Sequence, residues 1–259
     1  MTTPFFEAQR RAQMDAWAAS IGCSPDAFVT EKLTIVDRPQ ALPWYSLLGV
    51  TFGLGTVLSV EPRFREFVEA HVPSPAYRSL YPVLMQRLVD DCRQKGIQAN
   101  YQVPAVCWAL AKEPAPVEIP PGFTLRTVDV AWMAEEMKRH RWENGLGEPN
   151  GAQAREYRNR YGAALLDSAG RPAAVAGVFE TYGMHEIGVD VAREHRGKGY
   201  GDLVVRAAAR EILAAGHTPL YGCAANNIRS QRTALAAGFL PSFSDAAVSA
   251  ATPSPAPAA

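Results

Sequence analysis

Residues 184–216 read MHEIGVDVAREHRGKGYGDLVVRAAAREILAAG. The pattern predicts an extended segment, a glycine-rich turn and a long alanine-rich helix. Gly197, Gly199 and Gly201 alternate through the turn, with Arg196 and Lys198 beside them. Glycines allow positive φ and leave no Cβ between the backbone amides and a ligand. Because a helix begins directly afterwards, its free N–H groups and positive dipole end face the turn, which suits a phosphate.

The glycine spacing excludes two common nucleotide-binding motifs. A P-loop requires G-x-x-x-x-G-K-[ST], which the sequence lacks. A Rossmann turn requires G-x-G-x-x-G early in a βαβ unit and an acidic residue about 20 positions later. Here the spacing is G-x-G-x-G, late in the chain, and residue 221 is tyrosine. A flexible loop between a strand and a surface helix is the alternative explanation.

Two motifs in a fixed order resemble the GNAT superfamily of N-acetyltransferases. Residues 191–201 are similar to its acyl-CoA signature, R/Q-x-x-G-x-G/A after a strand. A second set is similar to its N-x-x-[SA]…G-F helix and comprises Asn227, Ser230, Gly238 and Phe239. The resemblance covers about residues 122–240. It implies an α/β fold with a GNAT-like mixed sheet flanked by helices, and an acetyltransferase that uses acetyl-CoA as co-substrate.

The composition narrows the class of protein. The 259 residues are 47% hydrophobic, enough for one large domain or two modest ones. The formal net charge is +0 and the basic residues are dispersed, so we expect no nucleic-acid partner. The four cysteines are far apart and form no C-x-x-C pair, which argues against a disulfide framework or a metal site.

The sequence also predicts the cellular compartment of the protein. The N-terminal residues lack the order of segments found in a signal peptide. No apolar run approaches the roughly 20 residues of a membrane span. We therefore expect a cytoplasmic protein without a membrane partner, either a monomer or a homodimer, whose substrate is a small-molecule or peptide amine.

The N-terminal residues 1–111 predict a smaller α/β region. Helices are predicted over residues 5–21, 62–71 and 76–95, and strands over residues 33–36, 44–60 and 101–110. Gly53 and Gly55 indicate a bulge or tight bend rather than a second phosphate loop, because no basic residue or helix start adjoins them. The order of elements raises the hypothesis of a degenerate GNAT-like half.

A proline-rich stretch predicts a domain boundary. Residues 112–122 read KEPAPVEIPPG, and their four prolines disfavour helix and strand alike. We expect a GNAT domain over residues 123–248. Residues 249–259 consist almost wholly of Ser, Pro and Ala, which predicts a disordered tail.

The predicted elements after the linker match the order of the GNAT core. Strands are predicted over residues 123–128, 161–167, 172–181, 185–191, 218–224 and 240–248, and helices over residues 130–143, 152–160, 202–215 and 228–237. Asn227 suits an N-cap and Gly238 a C′ position. The superfamily usually has two strands after the last helix. Here either the final strand is missing or the N-terminal region supplies the edge.

The resemblance implies a coenzyme site along the quoted stretch. Backbone amides from Arg196 to Gly201 are expected to hold the pyrophosphate, and the strand edge at Val189 and Val191 to pair with the pantetheine arm. The full predicted set is Val189, Val191, Arg196, Gly197, Lys198, Gly199, Tyr200, Gly201, Asn227 and Ser230. Asn227 has two compatible explanations, a pantetheine contact and a helix cap.

Acetyl transfer to an amine also needs a base that removes the ammonium proton. Glu186 is the preferred candidate, because some GNAT members place a glutamate near the start of this strand. Glu180 and His185 have similar claims, and each of the three is also explained as a strand-end surface residue. Asp190 occupies a position that is usually small and apolar in the superfamily, so it either lines the amine site or faces solvent.

The expected acid is missing from its usual place. Many GNAT members carry a tyrosine at the position that matches Ala234. Tyr221 is our candidate substitute, with Tyr200 and the weaker Cys223 as alternatives. A thiolate with an ordinary thiol pKa can also leave without an acid near neutral pH. The missing hydroxyl supports one alternative function, a non-catalytic acyl-CoA-binding or regulatory module.

The acceptor pocket is expected in the loop at residues 143–154, by resemblance. Gly147 and Gly151 make this loop flexible, and Glu143 and Glu148 either attract a cation or are solvated. The sequence does not identify the acceptor.

Overall fold

The computed structural model describes residues 3–73, 75, 78, 80, 82–140, 142–146 and 159–251. These residues pack as two compact units. Described residues within Met1–Ala16 and Cys107–Ser242 form the first unit, and those within Trp17–Val106 and Phe243–Ala259 form the second. The first described residues of the chain thus belong to the same unit as residues 107–242, and the last described residues belong to the other unit, an assignment that the predicted boundaries did not include. The division at residues 112–122 stays a prediction.

The helices are α1 (Pro4–Ile21), α2 (Arg65–His71), α3 (Pro82–Gln94), α4 (Val130–Arg139), α5 (Tyr200–Ala214) and α6 (Ile228–Ala236). The strands are β1 (Leu33–Asp37), β2 (Leu47–Thr51), β3 (Thr56–Val60), β4 (Ala99–Tyr101), β5 (Ala105–Leu110), β6 (Thr124–Asp129), β7 (Asn159–Leu166), β8 (Pro172–Thr181), β9 (Met184–Val191), β10 (Pro219–Ala224) and β11 (Phe239–Ala250). Short 3-10 helices lie at Pro25–Phe28, Pro62–Phe64 and Arg193–His195. Among the described residues, no helix is long and apolar enough to span a membrane.

The first unit contains a mixed sheet in the order β5-β10-β9-β8-β7-β6. Strands β6 to β9 are antiparallel neighbours, whereas β10 joins β9 in parallel. Helix α4 packs on β6 and β7, and α5 packs on β7, β8 and β9. The predicted GNAT-like mixed sheet flanked by helices is confirmed.

Helix α5 follows β9 through the glycine-rich turn. Gly199 occupies the N-cap position of α5 with φ 78°, a left-handed conformation that favours glycine. The helix begins at Tyr200, two residues before its predicted start, because it can begin directly after this glycine. Its buried face includes Val204, Ala208 and Ile212.

The second unit has its own sheet and core. Its strand order is β1-β3-β2-β11, and β4 also pairs with β11. Strands β1 and β3 are parallel, while β2 is antiparallel to both β3 and β11. The core includes Leu47, Leu58, Leu84, Met85 and Leu88. The predicted N-terminal α/β region is confirmed, and its origin as a degenerate GNAT-like half stays a hypothesis.

Other elements also differ from what was predicted. The strand predicted over residues 101–110 is two strands, β4 and β5, separated where Pro104 cannot donate a ladder hydrogen bond. Helix α4 ends at Arg139, because His140 is extended, with φ −141° and ψ 142°. A single strand, β11, follows the last helix, and it pairs with β2 and β4 from the N-terminal region. The predicted helix over residues 152–160 and most of the tail lie outside the described residues.

Candidate functional site

We call the space between the unpaired ends of the parallel strands β9 and β10 the cleft. Their register pairs Pro219 with His185 and Leu220 with Glu186. Among the described residues the register ends there, although β9 continues to Val191 and β10 to Ala224. The cleft therefore begins beside Glu186. The strand edge of β9 along it includes Val189 and Val191, where the pantetheine arm was predicted.

The turn after β9 presents backbone amides. Gly197 and Gly199 have φ values of 77° and 78°, and no side chain caps the start of α5. The first N–H groups of a helix lack intrahelical partners, and here they belong to Tyr200, Gly201 and Asp202. This geometry suits an anion such as pyrophosphate. The binding of coenzyme by Arg196, Gly197, Lys198, Gly199, Tyr200 and Gly201 stays a prediction.

Two charged side chains beside the turn have partners within the protein. The Arg196 Nε donates a hydrogen bond to the Val191 carbonyl oxygen at 3.2 Å. The Asp202 Oδ2 lies 3.5 Å from Arg206 Nη2, and its Oδ1 lies 3.4 Å from where a Cβ on Gly199 would be. Asp202 thus lies close to the turn, with Arg206 offsetting its charge. Lys198 is exposed.

The two predicted catalytic residues lie on neighbouring strands, Glu186 on β9 and Tyr221 on β10. A Cβ placed on Gly222 would be 2.6 Å from Glu186 Oε1, so this carboxylate lies directly against β10. Tyr221, the residue before Gly222, is 1% exposed. Burial raises the pKa of Tyr221 to about 12, and the negative charges of Glu186 and Asp190 act in the same direction. The phenol is therefore protonated at neutral pH.

Two predicted coenzyme-binding residues, Asn227 and Ser230, lie at the start of helix α6, and Ser230 contacts the candidate acid Tyr221. Asn227 Oδ1 accepts a hydrogen bond from Ser230 N at 3.1 Å, which confirms Asn227 as the N-cap. The Ser230 hydroxyl lies 2.9 Å from the Tyr221 hydroxyl. Ala234 is fully buried on the same helix. Pantetheine contacts of Asn227 and Ser230 stay predictions.

The alternative bases contact other partners. Glu180 forms an ion pair with Arg160. His185 is 5% exposed, its ring stacks on His217 with centroids 3.9 Å apart, and its Nδ1 lies 3.2 Å from the Tyr161 hydroxyl. These contacts account for both side chains without a role in catalysis.

Asp190 has a structural partner that the sequence analysis missed. Its carboxylate accepts three hydrogen bonds from Asn144 and Gly145, in the segment after α4. It is neither simply solvated nor available as a bare carboxylate. No spacing pattern reports such a contact, because its two sides are far apart in sequence.

Of the alternative acids, Tyr200 contacts Phe123, with ring centroids 5.0 Å apart. Burial raises the pKa of the Cys223 thiol. Tyr221 and Cys223 both flank Gly222, and the negative charge of Glu186 acts on each of them.

A cavity of about 560 Å³ lies beside the end of β9, within the usual size range of ligand pockets. Its lining residues come from three separate parts of the chain and are His140, Trp142, Glu143, Asp167, Arg171, Pro172, Asp190, Val191, Ala192, Arg193, Glu194, His195 and Arg196. Glu143, predicted to lie in the acceptor loop, is among them. Gly147, Glu148 and Gly151 of that loop lie outside the described residues.

The family model for FR47-like proteins matches residues 165–240, which include β9, the glycine-rich turn, α5, β10 and α6. We call residues 165–240, which match this GNAT-related family model, the GNAT-type segment. No curated protein sequence matches the chain significantly. The GNAT-type segment holds every predicted coenzyme-binding and catalytic residue.

Solved GNAT structures are also similar to this chain. A GCN5-related N-acetyltransferase from Sphaerobacter thermophilus is 14% identical, with a TM-score of 0.48 and coverage of 96% of this chain and 94% of that chain. A GCN5-related N-acetyltransferase-like protein from Streptococcus suis 89/1591 is 16% identical, with a TM-score of 0.46 and coverage of 95% and 100%. A GNAT acetyltransferase from Colwellia psychrerythraea is 15% identical, with a TM-score of 0.41 and coverage of 74% and 75%. Because these TM-scores lie below 0.5, function has to be argued from the site and from the family match.

Proposed function

We propose that the chain is an acetyl-CoA-dependent N-acetyltransferase that acetylates a primary amine of a small molecule or peptide. One observation carries the proposal: the cleft between β9 and β10 begins at Glu186 and leads to an amide-lined turn at a helix N-terminus. A thioester held along β9 by its pantetheine arm and pyrophosphate would have its reactive end near Glu186.

The coenzyme would be held mainly by the backbone. The amides of Tyr200 and Gly201 and the dipole of α5 would bind the pyrophosphate. The edge of β9 at Val189 and Val191 would pair with the amide groups of the pantetheine arm as an added strand does. Among the described residues no group suited to hold a metal ion is found, and the reaction as proposed uses none.

The chemistry needs one proton acceptor and one proton donor. Glu186 would take the proton of the ammonium group, directly or through a water molecule. The neutral amine would attack the thioester carbonyl, and the tetrahedral intermediate would collapse with loss of the coenzyme thiolate. Tyr221 would give its proton to that thiolate as the second proton of the attacking nitrogen passes through water to the phenol, so that the phenol ends neutral. Its high pKa keeps the phenol protonated until the thiolate forms.

A second candidate function is a non-catalytic acyl-CoA-binding or regulatory module. Two observations favour it: Ala234 replaces the usual tyrosine, and the substitute Tyr221 is almost fully buried. A buried phenol reaches a thiolate only if the coenzyme enters the cleft deeply.

The experiment that separates the two functions measures thiol release from acetyl-CoA with a panel of amines. The panel contains aminoglycosides, amino acids, polyamines and peptides with a free N-terminus, and coenzyme A binding is measured by calorimetry in parallel. Thiol release that depends on an amine supports the transferase. Coenzyme binding without release on any amine supports the binding module. Thermal stabilisation by ATP or NAD instead of coenzyme A would refute both.

We also propose that the protein is cytoplasmic and acts as a monomer or homodimer. All four cysteines are free in the structure, which agrees with a reducing compartment.

A further inference from the structure

Asp190 and the segment Trp142–Leu146 form a tight contact on one face of β9. Asp190 Oδ2 accepts hydrogen bonds from Asn144 N at 2.6 Å and Gly145 N at 2.8 Å. Its Oδ1 accepts one from Asn144 Nδ2 at 3.1 Å. Hydrogen bonds to a charged acceptor are stronger than neutral ones, so this carboxylate holds the segment by its backbone.

Glycines on both sides make the close approach possible. A Cβ on Gly188 would lie 1.9 Å from the Asn144 carbonyl oxygen, and a Cβ on Gly145 would lie 2.9 Å from the Val175 carbonyl oxygen. A side chain at either position would push the segment off the sheet. The segment therefore lies directly on the backbone of β9 and its neighbour β8.

The ends of the segment are anchored separately. Trp142 is 6% exposed and Leu146 is 4% exposed, and both belong to the core cluster under α4. The Trp142 indole N–H also donates to Glu136, a buried carboxylate on α4, at 3.2 Å. Asp190 thus fixes the residues between two apolar anchors, which the anchors alone leave free to bow outward.

This contact lies next to the candidate base. Successive side chains alternate between the faces of a strand, so Glu186, Gly188 and Asp190 share one face of β9. The Asn144 carbonyl lies over Gly188, one same-face position from Glu186. The segment Trp142–Leu146 therefore limits the space through which an amine can approach Glu186 along this face.

We propose that Asp190 is a positioning residue for acetyl transfer: by holding Asn144 and Gly145 over Gly188, it shapes the path of the acceptor amine to Glu186. The inference rests on the proposed function. With three hydrogen bonds already accepted, Asp190 acts through the segment rather than as a base.

The test compares Asp190→Asn with the unaltered chain in three measurements: hydrogen exchange of residues 142–146, coenzyme A affinity by calorimetry, and steady-state kinetics with the best amine of the panel. The amide in Asp190→Asn keeps one oxygen acceptor, but it turns an N–H group towards at least one of the three donors and removes the negative charge. We expect exchange in the segment to become about tenfold faster, which corresponds to about 1.4 kcal/mol. We expect KM for the amine to rise by a similar factor, about tenfold, with coenzyme affinity unchanged.

Asp167→Asn is the matched control. Asp167 also accepts hydrogen bonds from two backbone N–H groups, those of Ala169 and Arg171, within the turn between β7 and β8. Loss of the Asp167 carboxylate should speed hydrogen exchange in that turn and leave the hydrogen exchange of residues 142–146 unchanged. Gly188→Ala is a second variant that displaces the segment without touching the carboxylate, so it should reproduce the rise in KM.

The outcomes separate the two proposals. Unchanged exchange of residues 142–146 in Asp190→Asn refutes the contact in solution, and faster exchange with unchanged amine KM refutes the positioning role. A fall in kcat with unchanged KM, not reproduced by Gly188→Ala, would assign Asp190 to the chemistry instead. If the unaltered chain binds coenzyme A but acetylates no amine, the proposed function fails, and the role of Asp190 in guiding the acceptor amine fails with it. Hydrogen exchange of residues 142–146 still decides whether Asp190 holds this segment.

Discussion

The proposed coenzyme turn and the proposed reaction centre adjoin the same strand, but they are built differently. The turn from Arg196 to Gly201 is contiguous, and it offers backbone amides whose direction depends on two glycines with positive φ. The reaction centre gathers side chains from three elements, Glu186 on β9, Tyr221 on β10 and Ser230 on α6. A site made of backbone is encoded by local spacing, whereas a site made of side chains depends on how the strands and helix pack.

The largest effect is expected at the turn, from Gly199→Asp. Two like charges about 4 Å apart repel by about 4 kcal/mol at an effective dielectric of 20, which corresponds to roughly a thousandfold loss of affinity. Coenzyme A binding measured by calorimetry should fall below detection. Thermal unfolding should stay cooperative, because position 199 is exposed.

Gly199→Asn is the control for this variant. Asparagine tolerates the left-handed conformation better than most residues and adds no charge, so affinity should fall far less than in Gly199→Asp. Equal losses would show that the backbone conformation, and not the charge, decides binding. Unchanged affinity in Gly199→Asp would remove the turn from the coenzyme site.

The next effect is expected at the reaction centre, from Glu186→Gln. Loss of a general base typically lowers the rate by about 100-fold or more, and the acidic limb of the pH–rate profile should disappear. Coenzyme affinity should be unchanged, because the turn is intact. The measurement is kcat as a function of pH with the best amine of the panel.

Glu180→Gln provides the comparison for Glu186, because Glu180 is the neighbouring carboxylate and pairs with Arg160 at the surface. It should retain the kcat and the pH profile of the unaltered chain. If Glu180→Gln loses activity and Glu186→Gln does not, the assignment of the base is wrong.

A smaller loss is expected from Tyr221→Phe, about tenfold in kcat, at the low end of general acid–base contributions. A coenzyme thiolate with an ordinary pKa can leave without help near neutral pH, so the hydroxyl is useful but not essential. The control is Tyr161→Phe, which should leave kcat unchanged. Tyr161 is a half-buried tyrosine whose hydroxyl has one side-chain partner, His185. A Tyr221→Phe chain with full activity would remove the acid from the mechanism.

The difference between the two sites explains which of their features the sequence predicted. The glycines of the turn and the Asn227 cap act within a few residues of themselves, so spacing identifies them. The end of α4 and the contact of Asp190 with Asn144 depend on distant parts of the chain, and no local pattern encodes them. The split between β4 and β5 was predictable in principle, since Pro104 marks it, but the apolar residues on both sides hid the break.

The mixed sheet could be predicted because strands and helices alternate clearly after residue 123. The sheet of the second unit was harder to predict, because β11 extends beyond the end of the GNAT-type segment and pairs with β2 and β4 from the N-terminal region. Such long-range pairing leaves only an alternating apolar pattern in the sequence, and this pattern does not name the partner strand.

The smallest effect is expected at the start of β9, where His185 stacks on His217 and neither the turn nor the reaction centre is involved. Burial, together with the neighbouring His217, lowers the pKa of His185. Glu180 on β8 opposes this shift and Arg160 on β7 adds to it, while the Tyr161 hydroxyl lies against Nδ1. The folded chain thus binds this proton more weakly than the unfolded chain.

The sign of the pH dependence follows from that difference. The stabilisation is present above the unfolded pKa of about 6.5 and is lost as the pH falls below it, because the unfolded chain then binds more protons. We expect a lower urea midpoint at pH 5.5 than at pH 7.5, and a smaller difference in His185→Gln. This variant keeps a polar group beside Tyr161 but cannot be protonated. If His185→Gln shows the same pH dependence as the unaltered chain, the sensitivity lies elsewhere and the start of β9 is not a titrating site.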